Sequence, residues 1–277
     1  MVNKKIILFI SFILLNLNFY AQQSATYTNS LVDYQKALTL YNNKQYLAAQ
    51  SMFDKIKDDT DNEQLESDCS YYYANCAVRL NQQNADALIE DFVETYPTST
   101  KRNTAFLDVA DYYFDNAKYA YARKWYEKVD ENSISRAERD KFSFNYGYSL
   151  YSTKDEKGAQ KYLNRVVNSK EYGSEAKYYI GFMAYEGDDY DKANEYFEQV
   201  SDEEKYKEKL SYYQADLNFK LGNFEKAIAL AKEQLPKSDA NEKSELSKII
   251  GESYFNLQKY AEAIPFLKDY KGKKGKW

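Results

Sequence analysis

The 277-residue sequence has no histidine, two cysteines, three methionines, three prolines and nine glycines. Without histidine there is no Ser-His-Asp triad, no Cys-His nucleophile pair and no imidazole ligand for zinc or haem. Few prolines and glycines mean few helix breakers. No charge of one sign dominates either: 38 basic and 43 acidic side chains give a net charge of −5, spread along the chain. A nucleic-acid surface needs a basic face, so no nucleic-acid partner is expected. The motifs G-x-S-x-G, a phosphate-cradling glycine loop and the D-x-[DN]-x-[DN]-G calcium loop are all missing. No catalysis, cofactor or metal is therefore expected. What the chain does hold is aromatic: 30 Tyr and 15 Phe, enough for an extended core.

The longest early apolar run, Ile6 to Leu15, follows Lys4 and Lys5 and precedes Asn16 to Ala21. A positive start, a short apolar stretch and a small residue at a cutting point make an export signal over residues 1–21, with cleavage after Ala21. Ten residues is half of the roughly 20 that span a bilayer. No transmembrane span is expected once the signal is removed, and no cysteine follows the run for lipid attachment. The expected location is the periplasm or the outer-membrane periphery, with peripheral membrane association through a partner as a further option. Cys69 and Cys76 stand seven apart in one expected helix, roughly 10 Å at about 1.5 Å per residue, beyond disulfide reach. They read as small buried residues.

An alanine recurs at Ala49, Ala122, Ala159, Ala193, Ala227 and Ala263, with gaps of 73, 37, 34, 34 and 36. The double gap leaves room for a degenerate unit around Ala74 to Ala87, so seven units fill residues 22–270. Twelve residues before each alanine lies a small residue, Ala37, Ala110, Gly147, Gly181, Ala215 or Gly251, and four after that an aromatic, Tyr41, Phe114, Tyr151, Tyr185, Phe219 or Phe255. Rows such as Tyr46/Ala49/Phe53/Ile56 and Tyr190/Ala193/Phe197/Val200 step by three, four and three, the buried stripe of a second helix. Small residues where two helices cross, with rings filling the grooves beside them, specify a helical hairpin. One hairpin cannot cover both its apolar faces, so the expected fold is all-α, a right-handed α-solenoid of about seven helix-turn-helix units.

The stretch Ile249-Ile250-Gly251-Glu252-Ser253-Tyr254-Phe255-Asn256-Leu257-Gln258-Lys259-Tyr260-Ala261-Glu262-Ala263, and Ala215 to Ala227, resemble the tetratricopeptide repeat over roughly residues 30–270. Glu156 at the post-turn aromatic position, Ala231 in place of a large residue and the second unit depart from that pattern. Phe92-Val93-Glu94-Thr95-Tyr96-Pro97-Thr98-Ser99 is similar to a junction in periplasmic repeat proteins that assist outer-membrane assembly or coordinate cell-wall synthesis. It reads equally well as a helix boundary, Pro97 stopping one helix and Thr98 or Ser99 capping the next.

The resemblance implies a non-catalytic scaffold that holds a protein or peptide partner in the cell envelope, with first helices lining the binding groove. The groove residues so implied are Tyr34, Tyr41, Phe114, Phe144, Tyr148, Tyr151, Tyr178, Phe182, Tyr185, Tyr212, Phe219 and Phe255, each of which could instead pack one hairpin on the next. Asn42, Lys220 and Asn256 occupy positions related to the family's carboxylate clamp, without the full set. An alternative function is glycan or peptide capture by an aromatic groove. The acidic stretch 186–208 reads as a solvated turn and helix face. Residues 271–277, Lys271-Gly272-Lys273-Lys274-Gly275-Lys276-Trp277, read as a basic tail or as an inter-repeat loop of a longer array.

Overall fold

A computed structural model describes residues 29–270. Among these residues the chain is helical throughout, apart from turns and two short 3₁₀ segments, and contains no strand. The export segment and the tail 271–277 lie outside the described residues.

Among the described residues fourteen helices pair in chain order. They are α1 (29–42), α2 (Tyr46–Asp59), α3 (Glu63–Arg79), α4 (Ala85–Thr95), α5 (Arg102–Asp115), α6 (Tyr119–Tyr126), α7 (Arg139–Ser152), α8 (Glu156–Leu163), α9 (Gly173–Glu186), α10 (Tyr190–Glu198), α11 (Glu204–Lys220), α12 (Phe224–Gln234), α13 (Ala240–Asn256) and α14 (Tyr260–Asp269). Seven hairpins result, the number read from the repeat.

Each first helix stops for the same reason. Lys44, Asn81, Ala117, Lys154, Asp188, Gly222 and Gln258 all have positive φ, between 54° and 77°. Each lies seven residues after a small residue, from Ala37 and Ala74 through to Gly251. Around each, two backbone bonds repeat, for example Lys154 N to Tyr151 O (3.0 Å) and Asp155 N to Leu150 O (2.9 Å). This pair of bonds closes a helix end by satisfying its last carbonyls through one left-handed residue. Only Gly222 takes that conformation without steric cost.

The small residues sit where each hairpin crosses itself. A Cβ on Gly147 would lie 2.9 Å from Leu163 Cγ, one on Gly181 2.5 Å from Phe197 Cε1, and one on Gly251 2.6 Å from Leu267 Cδ2. Ala37, Ala74, Ala110 and Ala215 take the same place in the other hairpins and are buried.

The second hairpin has a shifted register. In the hairpins of α2, α8, α10 and α12 the buried stripe falls five, nine and twelve residues after the left-handed one, as in Ala49, Phe53 and Ile56 after Lys44. In α4 it falls four, eight and eleven after Asn81, at Ala85, Ile89 and Phe92. An extra turn over Gln82 to Asn84 delays the helix, closed by Ala85 N to Gln82 O at 3.1 Å. Gln82 is fixed there by paired amide bonds with Gln50, 3.0 and 2.8 Å. The junction after α4 follows the sequence reading only in part. Helix α4 ends at Thr95, ahead of Pro97. Neither Thr98 nor Ser99 caps α5, whose N-cap position is Lys101 without a side-chain bond; the Ser99 hydroxyl instead accepts from Lys101 N at 3.3 Å in the turn before the helix. Tyr96 is tied back to α3 by donating to Glu66 Oε1 at 2.8 Å.

The described residues divide into two compact units, one reaching Ser135 and the other starting at Arg136. The first holds three hairpins and the second four. In the first, Tyr72 stacks on Phe53 at 5.1 Å, and the ion pairs Lys124–Asp86 (2.6 Å) and Lys128–Glu90 (2.8 Å) join α6 and the turn after it to α4. In the second, Tyr213 contacts Phe182 (4.7 Å) and Tyr185 (5.3 Å) of the preceding hairpin, and Lys226 pairs with Glu198 at 2.6 Å.

Candidate partner-binding surface

The residues implied by the groove reading divide by position within the hairpin. Five of them close turns. Tyr41 meets Tyr46 (5.6 Å), Phe114 meets Tyr119 (5.5 Å), Tyr185 meets Tyr190 (6.2 Å), Phe219 meets Phe224 (6.0 Å) and Phe255 meets Tyr260 (5.2 Å). The aromatic before each left-handed residue thus packs on the aromatic that opens the next helix. Phe255 is 57 % exposed despite its partner; the others are half-buried.

Tyr151 breaks the pattern because Glu156 stands where its partner ring would be. Its ring turns instead to Tyr148 (6.2 Å) and to Tyr179 of the next hairpin (5.1 Å). Tyr148 also reaches Tyr179 at 4.8 Å. Tyr178 lies between Phe182 and Tyr206, both at 4.8 Å, and Tyr212 stands beside Tyr213 at 5.5 Å. Phe144 is buried against Tyr172 at 5.1 Å. Tyr34 packs on Phe53 at 6.0 Å in the first unit. In the second unit, α7, α9 and α11 therefore carry a connected set of half-buried rings from Tyr148 to Tyr212.

Burial governs the chemistry of these hydroxyls. It raises the pKa values of Tyr151 and Tyr178 above the ordinary tyrosine value and pushes that of Tyr212 up to about 12. They stay protonated at neutral pH, each able to donate and accept a hydrogen bond. Tyr185 is committed already, donating to Asp216 Oδ2 at 2.6 Å. Burial first, then that bond, raises its pKa.

The residues related to a carboxylate clamp do not assemble one. Lys220 donates to the Tyr190 hydroxyl at 3.0 Å and stands 3.8 Å from Asp216. Asn256 donates to the Glu252 carbonyl of its own helix at 2.8 Å. Asn42 is exposed at the end of α1, in the other unit. Within the acidic stretch, Asp189 caps α10 by accepting from Lys192 N at 3.3 Å, and the Tyr190 hydroxyl donates to Asp188. No cluster of ligand residues suited to a metal occurs among the described residues, and no described helix is long and apolar enough to cross a membrane. Cys69 and Cys76 are free and fully buried, and burial pushes both thiols up to about 12.

Three tyrosines that the sequence reading passed over hold the rings together. Tyr72, Tyr179 and Tyr213 each stand two residues before the small residue of their helix and pack back on the hairpin before. Their signal was the doublets Tyr71-Tyr72, Tyr178-Tyr179 and Tyr212-Tyr213.

Two stretches match the tetratricopeptide repeat model, residues 68–99 and 175–204. They fall on α3–α4 and α9–α10, so the hairpin with the shifted register is one of the two that match. Among solved structures, MamA AMB-1 is similar with 19 % identity and a TM-score of 0.52, over 61 % of this chain and 90 % of that one. MamA MSR-1 is similar with 18 % identity and a TM-score of 0.50, over 61 % and 95 %. A tetratricopeptide repeat protein from Parabacteroides merdae covers 89 % of this chain and 94 % of its own, at 14 % identity and a TM-score of 0.49, too low to argue from. At such identities the likeness speaks to the fold, an array of tetratricopeptide-like hairpins. No curated protein matches the sequence. Domains built of this repeat bind protein partners, which makes an interaction scaffold the reading in best accord with the matches.

Proposed function

We propose that this chain is an exported, non-catalytic scaffold of the cell envelope, and that it holds an extended peptide or helix of a partner against first-helix side chains of its second unit. The observation that carries this is the connected set of rings from Tyr148 to Tyr212, half-buried, with protonated hydroxyls. Such side chains offer apolar area and a hydrogen-bonding tip at low entropic cost, the composition of binding hot spots. Export is supported by residues 1–21, and it places the partner in the periplasm or at the outer-membrane periphery.

Tyr151 is the residue to test, since no post-turn ring claims it. Tyr151→Ala should cut cross-linked capture of the partner from whole cells several-fold while the melting temperature falls by no more than about 4 °C, the shift of roughly 1 kcal/mol in a domain this size. Tyr185→Ala removes a turn lock and the bond to Asp216, so it should cost stability first. Capture undiminished in Tyr151→Ala would overturn the surface assignment. A secreted chain beginning at Met1 instead of Gln22 would overturn cleaved export.

A further inference from the structure

Neighbouring hairpins of one unit meet through a repeated contact. A second-helix residue, Phe53, Phe197 or Ala231, shares a core with a residue of the following first helix, Cys69, Leu210 or Leu246 respectively. The first member stands nine residues after the left-handed position, the second five before the small residue. Where a hairpin of the same unit follows, the first member is fully buried: Phe53, Ile89 with the shift of α4, Leu163, Phe197 and Ala231. Where one precedes, so is the second: Cys69, Ala105, Ala176, Leu210 and Leu246.

Two helices carry half of this contact. In α1 the residue five before Ala37 is Val32, 51 % exposed. Leu31, Gln35, Lys36 and Thr39 line a shallow groove with it. In α14 the residue nine after Gln258 is Leu267, 37 % exposed. Ile264 beside it is 52 % exposed, whereas Ile228, at the same place in α12, is 8 % exposed in a core with Ile249 of α13. Helix α1 thus offers the face with which first helices dock, and α14 the face that receives one.

We propose that a second copy of this chain joins the two faces. The first hairpin of one copy docks on the last hairpin of another, Val32 entering beside Ile264 and Leu267 as Leu246 enters beside Ile228 and Ala231. The fit is continuous with the packing already made between hairpins inside the chain. Unlike faces meet, so each added copy leaves one face of each kind free, and copies add in line or close into a ring. Gln35 stands where Tyr72, Tyr179 and Tyr213 stand in later hairpins. A small interface with such a polar member is weak and reversible. Linked copies would set several partner-binding surfaces in a row, which raises avidity for a partner with more than one matching segment.

Sedimentation of the full chain alone, from about 1 to 300 µM, should show an average mass that rises with concentration. Added salt should not weaken the association, because the contact is apolar. Val32→Glu and Ile264→Glu should each keep the chain monomeric with its helical signal unchanged, since both side chains are more than half exposed. Mixed together, the two variants should form a 1:1 pair and nothing larger, one supplying the α14 face and the other the α1 face. Self-association of either variant alone would overturn the docking of unlike faces. So would a parent chain that stays monomeric throughout, which would leave the faces to residues 1–28, residues 271–277 or a different protein. Should a variant fail to fold, hydrogen exchange of the unmodified chain decides the matter. Protection of α1 and α14 should grow with concentration, and protection that grows elsewhere instead would overturn the proposal. No partner is present in these measurements, so their failure leaves capture through Tyr151 untouched.

Discussion

At the scale of single residues, the glycines separate two physical demands. Gly181 has an ordinary helical backbone, and its need is space, since any Cβ there would overlap Phe197. Gly222 is the reverse: a Cβ there would meet nothing within 4 Å, but its φ is +77°. Gly181→Ala should therefore cost about 1–3 kcal/mol through overpacking. Gly222→Ala should cost about 1 kcal/mol through left-handed strain alone. Thermal melts of the two, alongside Gly181→Ala combined with Phe197→Leu, check this. Trimming the ring should recover part of the first loss, and a Gly181→Ala chain that melts like the parent would refute the crossing geometry. The crossing was legible in the sequence because it recurs beside alanine at a fixed offset. The left-handed positions were not, because lysine, asparagine, alanine, aspartate and glutamine fill six of the seven, and their conformation is imposed by the hairpin that follows.

For helices and hairpins, the repeat period was readable from apolar residues while the caps were hidden by ordinary polar ones. Asp239 accepts from both Asn241 N (2.8 Å) and Glu242 N (3.0 Å) at the start of α13. Asn62 and Asp155 do the same for α3 and α8 with one donor each, at 2.8 and 3.0 Å. Asp239→Ala should remove about 1 kcal/mol of stability, and Asp239→Asn should retain most of it. Denaturant midpoints resolve the pair, and equal losses from both would mean that charge near the helix start matters more than the capping bonds. The same contrast explains the candidate surface. The aromatics four after each small residue looked like groove residues, yet five pair across their own turn, a role invisible without knowing that the turn brings the next helix back within ring distance. Tyr151 keeps its surface role because Glu156 removes that partner. The register of α4 was beyond sequence reading for a related reason, since Gln82 in the shifted turn is held by Gln50, 32 residues away.

For the molecule as a whole, the absence of histidine and the abundance of buried tyrosine set the response to pH. Between about pH 5.5 and 9 few side chains have an ordinary pKa, so protonation should leave stability flat there. On the acid side, Glu90 and Glu198 are held below the usual carboxylate range, chiefly by hydrogen bonds from Lys128 and Lys226. Depressed pKa values give stability that is present above about pH 4.5 and fades as pH falls, but exposed pairs of this kind carry little of it. The alkaline side has the opposite sign. Burial raises the pKa values of Tyr113 and Tyr212 from 10.0 to about 12 and those of Cys69 and Cys76 from 9.0 to about 12. Raised pKa values mean that the folded chain holds its protons longer than the unfolded one. The associated stability is complete below about pH 9 to 10 and is lost as pH climbs toward 12. Melting temperature measured from pH 4 to 12 should thus show a broad plateau, a shallow acid shoulder and a steep alkaline fall. Tyrosinate absorbance near 295 nm should rise together with loss of the helical signal. A fall in melting temperature between pH 6 and 8, or full tyrosine ionisation near pH 10 in a chain that stays helical, would contradict rings packed between hairpins in both units.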